Sequence, residues 1–115
     1  MEYWHFGVPA ISGVDRMAQT CEELNFDGLT LTESQNLSNE IYIALTLAAK
    51  ATNVLKLGPG VTNPITRHAA VTASAATMLQ EASNGRMMIG IGRGHLSLFN
   101  IGVKPGKPDL FRKYF

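Results

Sequence analysis

The sequence predicts an α/β protein built on a parallel sheet, and three observations carry that prediction. Apolar periodicity switches between strand and helix in the order β-α-β-α-β-α-β. The helical stretches are long enough to act as crossovers between parallel strands. The run MMIGI at residues 87–91 is continuously apolar, as a strand covered on both faces is.

Each element has its own signal. Tyr3, Trp4, Phe6 and Val8 form an aromatic and β-branched run that stops at Pro9, predicting a first strand over residues 2–8. Val14, Met17, Ala18, Cys21 and Leu24 then recur at helical spacing, and the turn at residues 25–28 closes that helix. The alternating LTLT at residues 29–32 predicts a second strand, followed by a polar loop over residues 33–39 in which Ser38 stands where a helix cap belongs. Residues 40–52 are helical in pattern but apolar almost all round, which predicts cover on more than one side and suggests a subunit interface. Residues 54–57 predict a third strand. Thr66 is placed to cap a helix of small residues over 67–82, and Asn84-Gly85 supplies a left-handed stop. Residues 87–91 are the fourth strand, residues 95–109 read as a loop, and residues 110–115 as the first turns of a fourth helix. The expectation is therefore four parallel strands, three helices and the start of a fourth, in a chain that stops part-way through its fold.

Composition narrows the function. The chain has 115 residues, 45% of them hydrophobic and 17% charged, the make-up of one globular domain. A formal net charge of +1 with dispersed arginines argues against nucleic acid as a partner. The longest apolar stretch is well short of the ~20 residues a membrane helix needs, and the amino terminus carries Glu2 and aromatics where a signal peptide would carry basic residues. No membrane association and a cytoplasmic location are expected. The lone Cys21 lies in a helical stripe and reads as a small core residue. His5, His68 and His95 are too dispersed for a zinc pattern, so no metal is expected.

Ligands of parallel α/β folds bind at the carboxyl ends of the strands. Those ends carry Gly7-Val8-Pro9, the TESQN run at residues 32–36, the GPGVTN run at 58–63, and Gly92-Arg93-Gly94-His95. Glycine lets a flat ligand approach the backbone, and Glu33, Ser34, Asn63 and Arg93 offer directed hydrogen bonds. Taken singly, each is as well explained as an ordinary turn residue; four such ends on one rim weigh more. The glycines at 90, 92 and 94 lack the spacing of a dinucleotide fingerprint, and no Gly-Lys-Ser/Thr sequence supports a phosphate-binding loop. His5, between Trp4 and Phe6, is expected to line the barrel near the pocket floor.

Residues 27–94, and within them LGPGVTNP and GRMMIGIGRG, resemble the amino-terminal half of a luciferase-like flavin or deazaflavin oxidoreductase. The TESQNLS and GRG spellings are closer to the deazaflavin branch. The resemblance implies a TIM (β/α)8 barrel, of which residues 1–115 would be the amino-terminal half, and hydride transfer through coenzyme F420 or, alternatively, FMN. It also implies a non-prolyl cis peptide at Gly60-Val61 behind the cofactor ring. Gly60, Val61 and Thr62 would line that ring, and Gly92, Arg93 and Gly94 would approach the ring or the ribityl chain. Glu33 stands where relatives often carry an aspartate and is the candidate catalytic residue. Ser34, where many relatives have histidine, and His5 are the candidate substrate contacts for a small-molecule substrate.

A complete barrel has eight strands and a phosphate site after strands 7 and 8, so weak cofactor binding is expected of this chain alone. Homo-oligomerisation through strand edges or through the helix at 40–52 would cover the exposed apolar surface. The alternative function is a non-catalytic half-barrel that self-associates without turnover.

Overall fold

The computed structural model describes residues 1–114. Among them the elements run β1 (Trp4–Gly7), α1 (Val14–Glu23), β2 (Gly28–Leu31), α2 (Ile41–Ala51), β3 (Lys56–Pro59), α3 (Ala69–Ala82), α4 (His95–Phe99) and α5 (Pro108–Tyr114). The strands form a parallel sheet in the order β1-β2-β3. This is the strand-helix succession of a partial (β/α)8 barrel.

Strand pleating divides the sheet into two faces. Leu29, Leu31 and Leu57 point toward the helices, where they join Val14, Ala18 and Cys21 of α1 and Ile41, Ala44, Leu45, Ala48 and Ala49 of α2 in one buried cluster. Burial also raises the Cys21 thiol above its usual range. On the opposite, inner face the register sets Trp4 beside Gly28 and Phe6 beside Thr30, with Gly58 next to Thr30 on β3. A Cβ on Gly28 would lie 2.3 Å from the Trp4 ring, so this glycine is what allows the indole to lie across β2.

The strand expected over residues 87–91 is corrected. The segment meets β3 at only two isolated parallel bridges, Leu57 with Met87 and Thr62 with Ile91. Between these bridges the β3 side advances five residues and the other side four, so one extra residue bulges out and a regular ladder cannot run through. Pro59, inside the interval, has no N–H to donate. Backbone bonds at each end still hold the two segments together: Met88 N donates to Leu57 O (2.7 Å), Thr62 N to Gly90 O (2.9 Å) and Gly92 N to Thr62 O (2.8 Å). The approach is close enough that a Cβ on Gly58 would sit 2.0 Å from the Met88 carbonyl oxygen, and one on Gly90 2.5 Å from that of Pro59.

Both expected helix caps move as well. Ser38 instead closes the turn at 34–38, its hydroxyl donating to Ser34 O (3.1 Å) and accepting from Ser34 N (3.2 Å). The cap of α2 is Glu40, whose carboxylate accepts from Ile43 N (2.8 Å). The cap of α3 is His68, whose Nδ1 accepts from Ala70 N (3.2 Å), and the helix starts two residues later than expected because residues 63–66 are occupied by an Asn63 turn. The expected loop at 95–109 opens with the short helix α4. Gly94 turns the chain at φ 75°, and Leu98 is driven into full burial, a signal too short to show periodicity. Helix α2 packs against α1, α3 and β3, so it is covered on more than one side as expected, and only its outer edge with Ile43 and Leu47 is left exposed.

Candidate functional site

The carboxyl ends of β2 and β3 converge on one buried carboxylate. Glu33, two residues past β2, is only 6% exposed. Its Oε2 accepts from the Thr62 hydroxyl (2.8 Å) and, at 3.5 Å, from the Asn63 amide, while Oε1 pairs with Arg67 Nη1. Arg67 spans to Glu40 with its other nitrogen and lies over the Tyr42 ring, 5.1 Å from its centroid. Burial alone would lower the Arg67 guanidinium, but Glu33 and Glu40 more than reverse that and hold it above its usual range. Burial raises the Tyr42 phenol, against the pull of the Thr62 hydroxyl and the Arg67 charge.

This network fixes the segment that carries the cofactor candidates. Thr62 and Asn63 are fully buried, and Asn63 Oδ1 accepts from Ile65 N and Thr66 N, both at 3.0 Å. The peptide between Gly60 and Val61 is cis. Val61 stands out from the anchored segment, 45% exposed, toward an open apolar hollow of about 360 Å³ lined by Trp4, Thr30, Pro59, Val61, Met88 and Ile89 with the glycines at 58, 60 and 90. Among the described residues lining this hollow none is charged.

Gly60, Val61 and Thr62 are thus brought together, but in three different ways. Gly60 backs onto Thr30, where a Cβ would approach to 2.7 Å; Val61 faces the hollow; Thr62 turns inward to Glu33. Gly92 lies against Val61, at 2.6 Å for a Cβ, and Gly94 against Asn63. Arg93 is on the same rim with its Nε donating to Gly106 O (2.9 Å). Ser34 lines a separate small polar cleft with Glu33, Gln35, Asn39, Glu40 and Arg67. His5 does not line the barrel interior: it shares the helix face with Leu29, packs edge-on to Phe26 at 5.9 Å, and borders Met17 and Cys21 of α1. Strict alternation decides this, because Trp4 and Phe6 take the inner face and the residue between them must take the other.

Arg67, Glu40 and Tyr42 belong to the site but were not singled out from the sequence. Arg67 reads there as one of several dispersed arginines, and its partners lie 34 and 27 residues away. Its position just ahead of a helix, following Asn63 and Thr66 at a strand end, was the available clue.

Residues as apolar and open as Phe6 (59% exposed), Val61 and Met88 (53%) on the inner face fit a flat, largely apolar ring. The uncharged lining offers nothing there for an anionic tail. Among the described residues no group of three or more His, Cys, Asp or Glu is arranged to hold a metal ion, and no helix is long and apolar enough to cross a membrane.

The chain is 43% identical to 5,10-methylenetetrahydromethanopterin reductase of Methanolobus tindarius over 83 residues, covering 72% of this chain and 25% of the relative. The structure of the coenzyme F420 dependent tetrahydromethanopterin reductase from Methanopyrus kandleri superposes with a TM-score of 0.83 at 32% identity, covering 88% of this chain and 30% of that one. The oxygenating constituent of 3,6-diketocamphane monooxygenase from Pseudomonas putida, a type II Baeyer-Villiger monooxygenase in complex with FMN, shares the fold, with a TM-score of 0.78 at 18% identity over 99% of this chain and 38% of that one. The chain spans about a quarter of the length of the curated relatives it matches. Residues 5–108 match the family described as luciferase-like monooxygenase, and the chain belongs to that family.

Proposed function

We propose that this chain is the amino-terminal portion of the barrel domain of an oxidoreductase that transfers hydride through coenzyme F420, with FMN as the alternative cofactor, to or from a small organic substrate. The observation that carries the proposal is Val61, held out over an uncharged, apolar hollow by a segment whose neighbours on both sides are anchored. The similarity to the coenzyme F420 dependent reductase from Methanopyrus kandleri supports the choice of cofactor.

When bound, the cofactor supplies the hydride chemistry, and the protein supplies orientation and exclusion of water. Gly60 and Val61 would back the ring, with Thr62 holding Val61 from behind, and Phe6 and Met88 would wall it. Gly92 and Gly94 keep the rim low where the ring approaches, and Arg93 faces the polar side chain of the cofactor. Ser34, in its polar cleft beside Glu33, contacts the substrate. The remaining strands of the site come from further polypeptide or from a second copy. The exposed apolar residues of the inner face call for such cover, and light scattering that finds a folded monomer at micromolar concentration would remove the second copy.

Fluorescence titration with F420 and with FMN tests the proposal. Weak but saturable binding, tighter for F420, is expected, together with its loss in Val61→Asp, a change at a half-exposed position that places a charge against the ring. No binding of either cofactor up to about 1 mM, the concentration that corresponds to roughly 4 kcal/mol of binding free energy, would overturn it.

A further inference from the structure

We infer that Glu33 is a positioning residue, holding the Gly60 to Thr62 segment in place from behind. The inference starts from what its carboxylate touches. Both oxygens are committed: Oε2 to the Thr62 hydroxyl and more distantly to Asn63, Oε1 to Arg67. The side chain is buried among these partners; it borders the polar cleft of Ser34 and is absent from the lining of the hollow that Val61 faces. This carboxylate ends a closed circuit through the chain.

The circuit runs as follows in space. Glu33 binds Thr62 and Asn63; Asn63 Oδ1 caps the turn through Ile65 N and Thr66 N; that turn delivers Arg67; and Arg67 returns to Glu33. Residues 62–67 are thereby wrapped around one negative charge. Arg67 also ties Glu40, the cap of α2, into the same arrangement, so the loop after β2, the start of α2 and the loop after β3 share one anchor. Thr62 is the outlet. Its side chain is held by Glu33, while its backbone makes both bonds to the following segment, Thr62 N to Gly90 O and Gly92 N to Thr62 O. Displacing the Thr62 side chain therefore loosens Val61 on one side and Gly92 on the other, the two positions that meet at the rim of the hollow.

The role is separable from general stability because it is local. Amide hydrogen exchange in Thr62→Val, which keeps the shape but cannot donate to Glu33, is expected to speed up about tenfold at the Thr62 and Gly92 amides, the factor that accompanies loss of one hydrogen bond to a charged group. The Lys56 amide, bonded to Asp27 O at the other end of β3, should keep its wild-type rate. Thr62→Ser, which restores the hydroxyl, should restore slow exchange. If Thr62→Val does not fold, Glu33→Gln serves, since it keeps the volume and weakens the same bond, and a smaller acceleration confined to the same two amides is expected. Unchanged exchange at those amides, or equal acceleration at Lys56, would overturn the inference.

A second measurement rests on the oxidoreductase proposal: Thr62→Val should weaken cofactor binding by about the same factor as it loosens the segment, with Thr62→Ser close to wild type. Wild-type protein that binds neither cofactor would sink the oxidoreductase proposal, while the exchange result would still decide the role of Glu33.

Discussion

The two ends of the sheet carry comparable charged clusters that do different things. At the amino end, Glu22 and Arg86 spend their hydrogen-bonding capacity on the backbone. One Glu22 carboxylate accepts from Asn53 N, Val54 N and Leu55 N, and Arg86 donates to the carbonyls of Ala49, Thr52, Leu55 and Ser83 and to the Thr52 hydroxyl. These are the carbonyls left over where α2 and α3 end and the amides left over where the chain turns into β3. At the carboxyl end, Glu33, Arg67 and Glu40 bind mainly side chains: one another, Thr62 and Asn63. A charge that satisfies backbone closes a loop. A charge that satisfies side chains sets the direction in which they point, which is what a binding site requires. The difference teaches that a charged group is to be judged by what its partners would otherwise do, and not by its charge alone.

Substitution at the two ends should separate these roles. The largest effect is expected for Arg86→Met, which leaves several carbonyls without a donor. At roughly 1–3 kcal/mol for each group left unsatisfied, discounted for those that water can reach, a loss of about 3 kcal/mol is expected in urea denaturation. Cofactor affinity per folded molecule should be unchanged, and a parallel loss of affinity would erase the distinction between the two ends.

Arg67→Met comes next. It strips Glu33 of its countercharge but leaves the Thr62 and Asn63 bonds, and Arg67 is itself in partial contact with water, so a loss of about 2 kcal/mol is expected. Here the affinity for cofactor should fall together with stability. An unchanged affinity would mean that Thr62 alone holds the rim.

The smallest effect is expected for Glu22→Gln, about 1 kcal/mol, because its amide oxygen still accepts part of what the carboxylate accepts and the group is near solvent. This residue also gives the amino end a pH dependence. Burial alone would raise the Glu22 carboxyl, but the amides of Val54, Leu55 and Asn53, with Arg86 nearby, more than offset it and hold it below the usual carboxylate range. A carboxyl lowered in the folded state stabilises the fold fully above its unfolded value, and that contribution disappears as pH falls through the folded value. Wild-type protein should therefore lose stability on acidification below the ordinary glutamate range, and Glu22→Gln should lose less over the same interval. Parallel melting curves of the two proteins against pH would show otherwise if the carboxylate is not responsible.

Legibility from sequence followed the range of the interaction that decides each feature. Helix α1 was visible as a stripe of Val14, Ala18 and Cys21, and its stop as Asn25, which does adopt a left-handed φ of 59°. The glycine-bearing end of the third strand was visible in the GPGVTN run at 58–63, and the cis peptide lies where the family resemblance put it. The fourth strand was misjudged because MMIGI carries the right residues for a strand, while the excess residue opposite it is a property of the pairing and not of either segment. His5 was misjudged for a related reason: a barrel-lining position depends on which way the pleat falls, and the neighbouring aromatics leave that parity open until the sheet is assembled.

What the residues determined by themselves is local: the alternation of strand and helix, the left-handed stop at Asn84-Gly85, the glycine-bearing strand ends and the family signature in LGPGVTNP and GRMMIGIGRG. Only the tertiary structure decided that Arg67 meets Glu33 and Glu40, that Thr62 faces Glu33 while Val61 faces the hollow, and that Gly58 is required by the Met88 carbonyl. The physical reason is that a carboxylate, a guanidinium or an absent Cβ has no preferred partner along the chain. Its role is set by whatever the packing of distant segments brings within hydrogen-bonding or contact distance, and sequence spacing does not encode that distance.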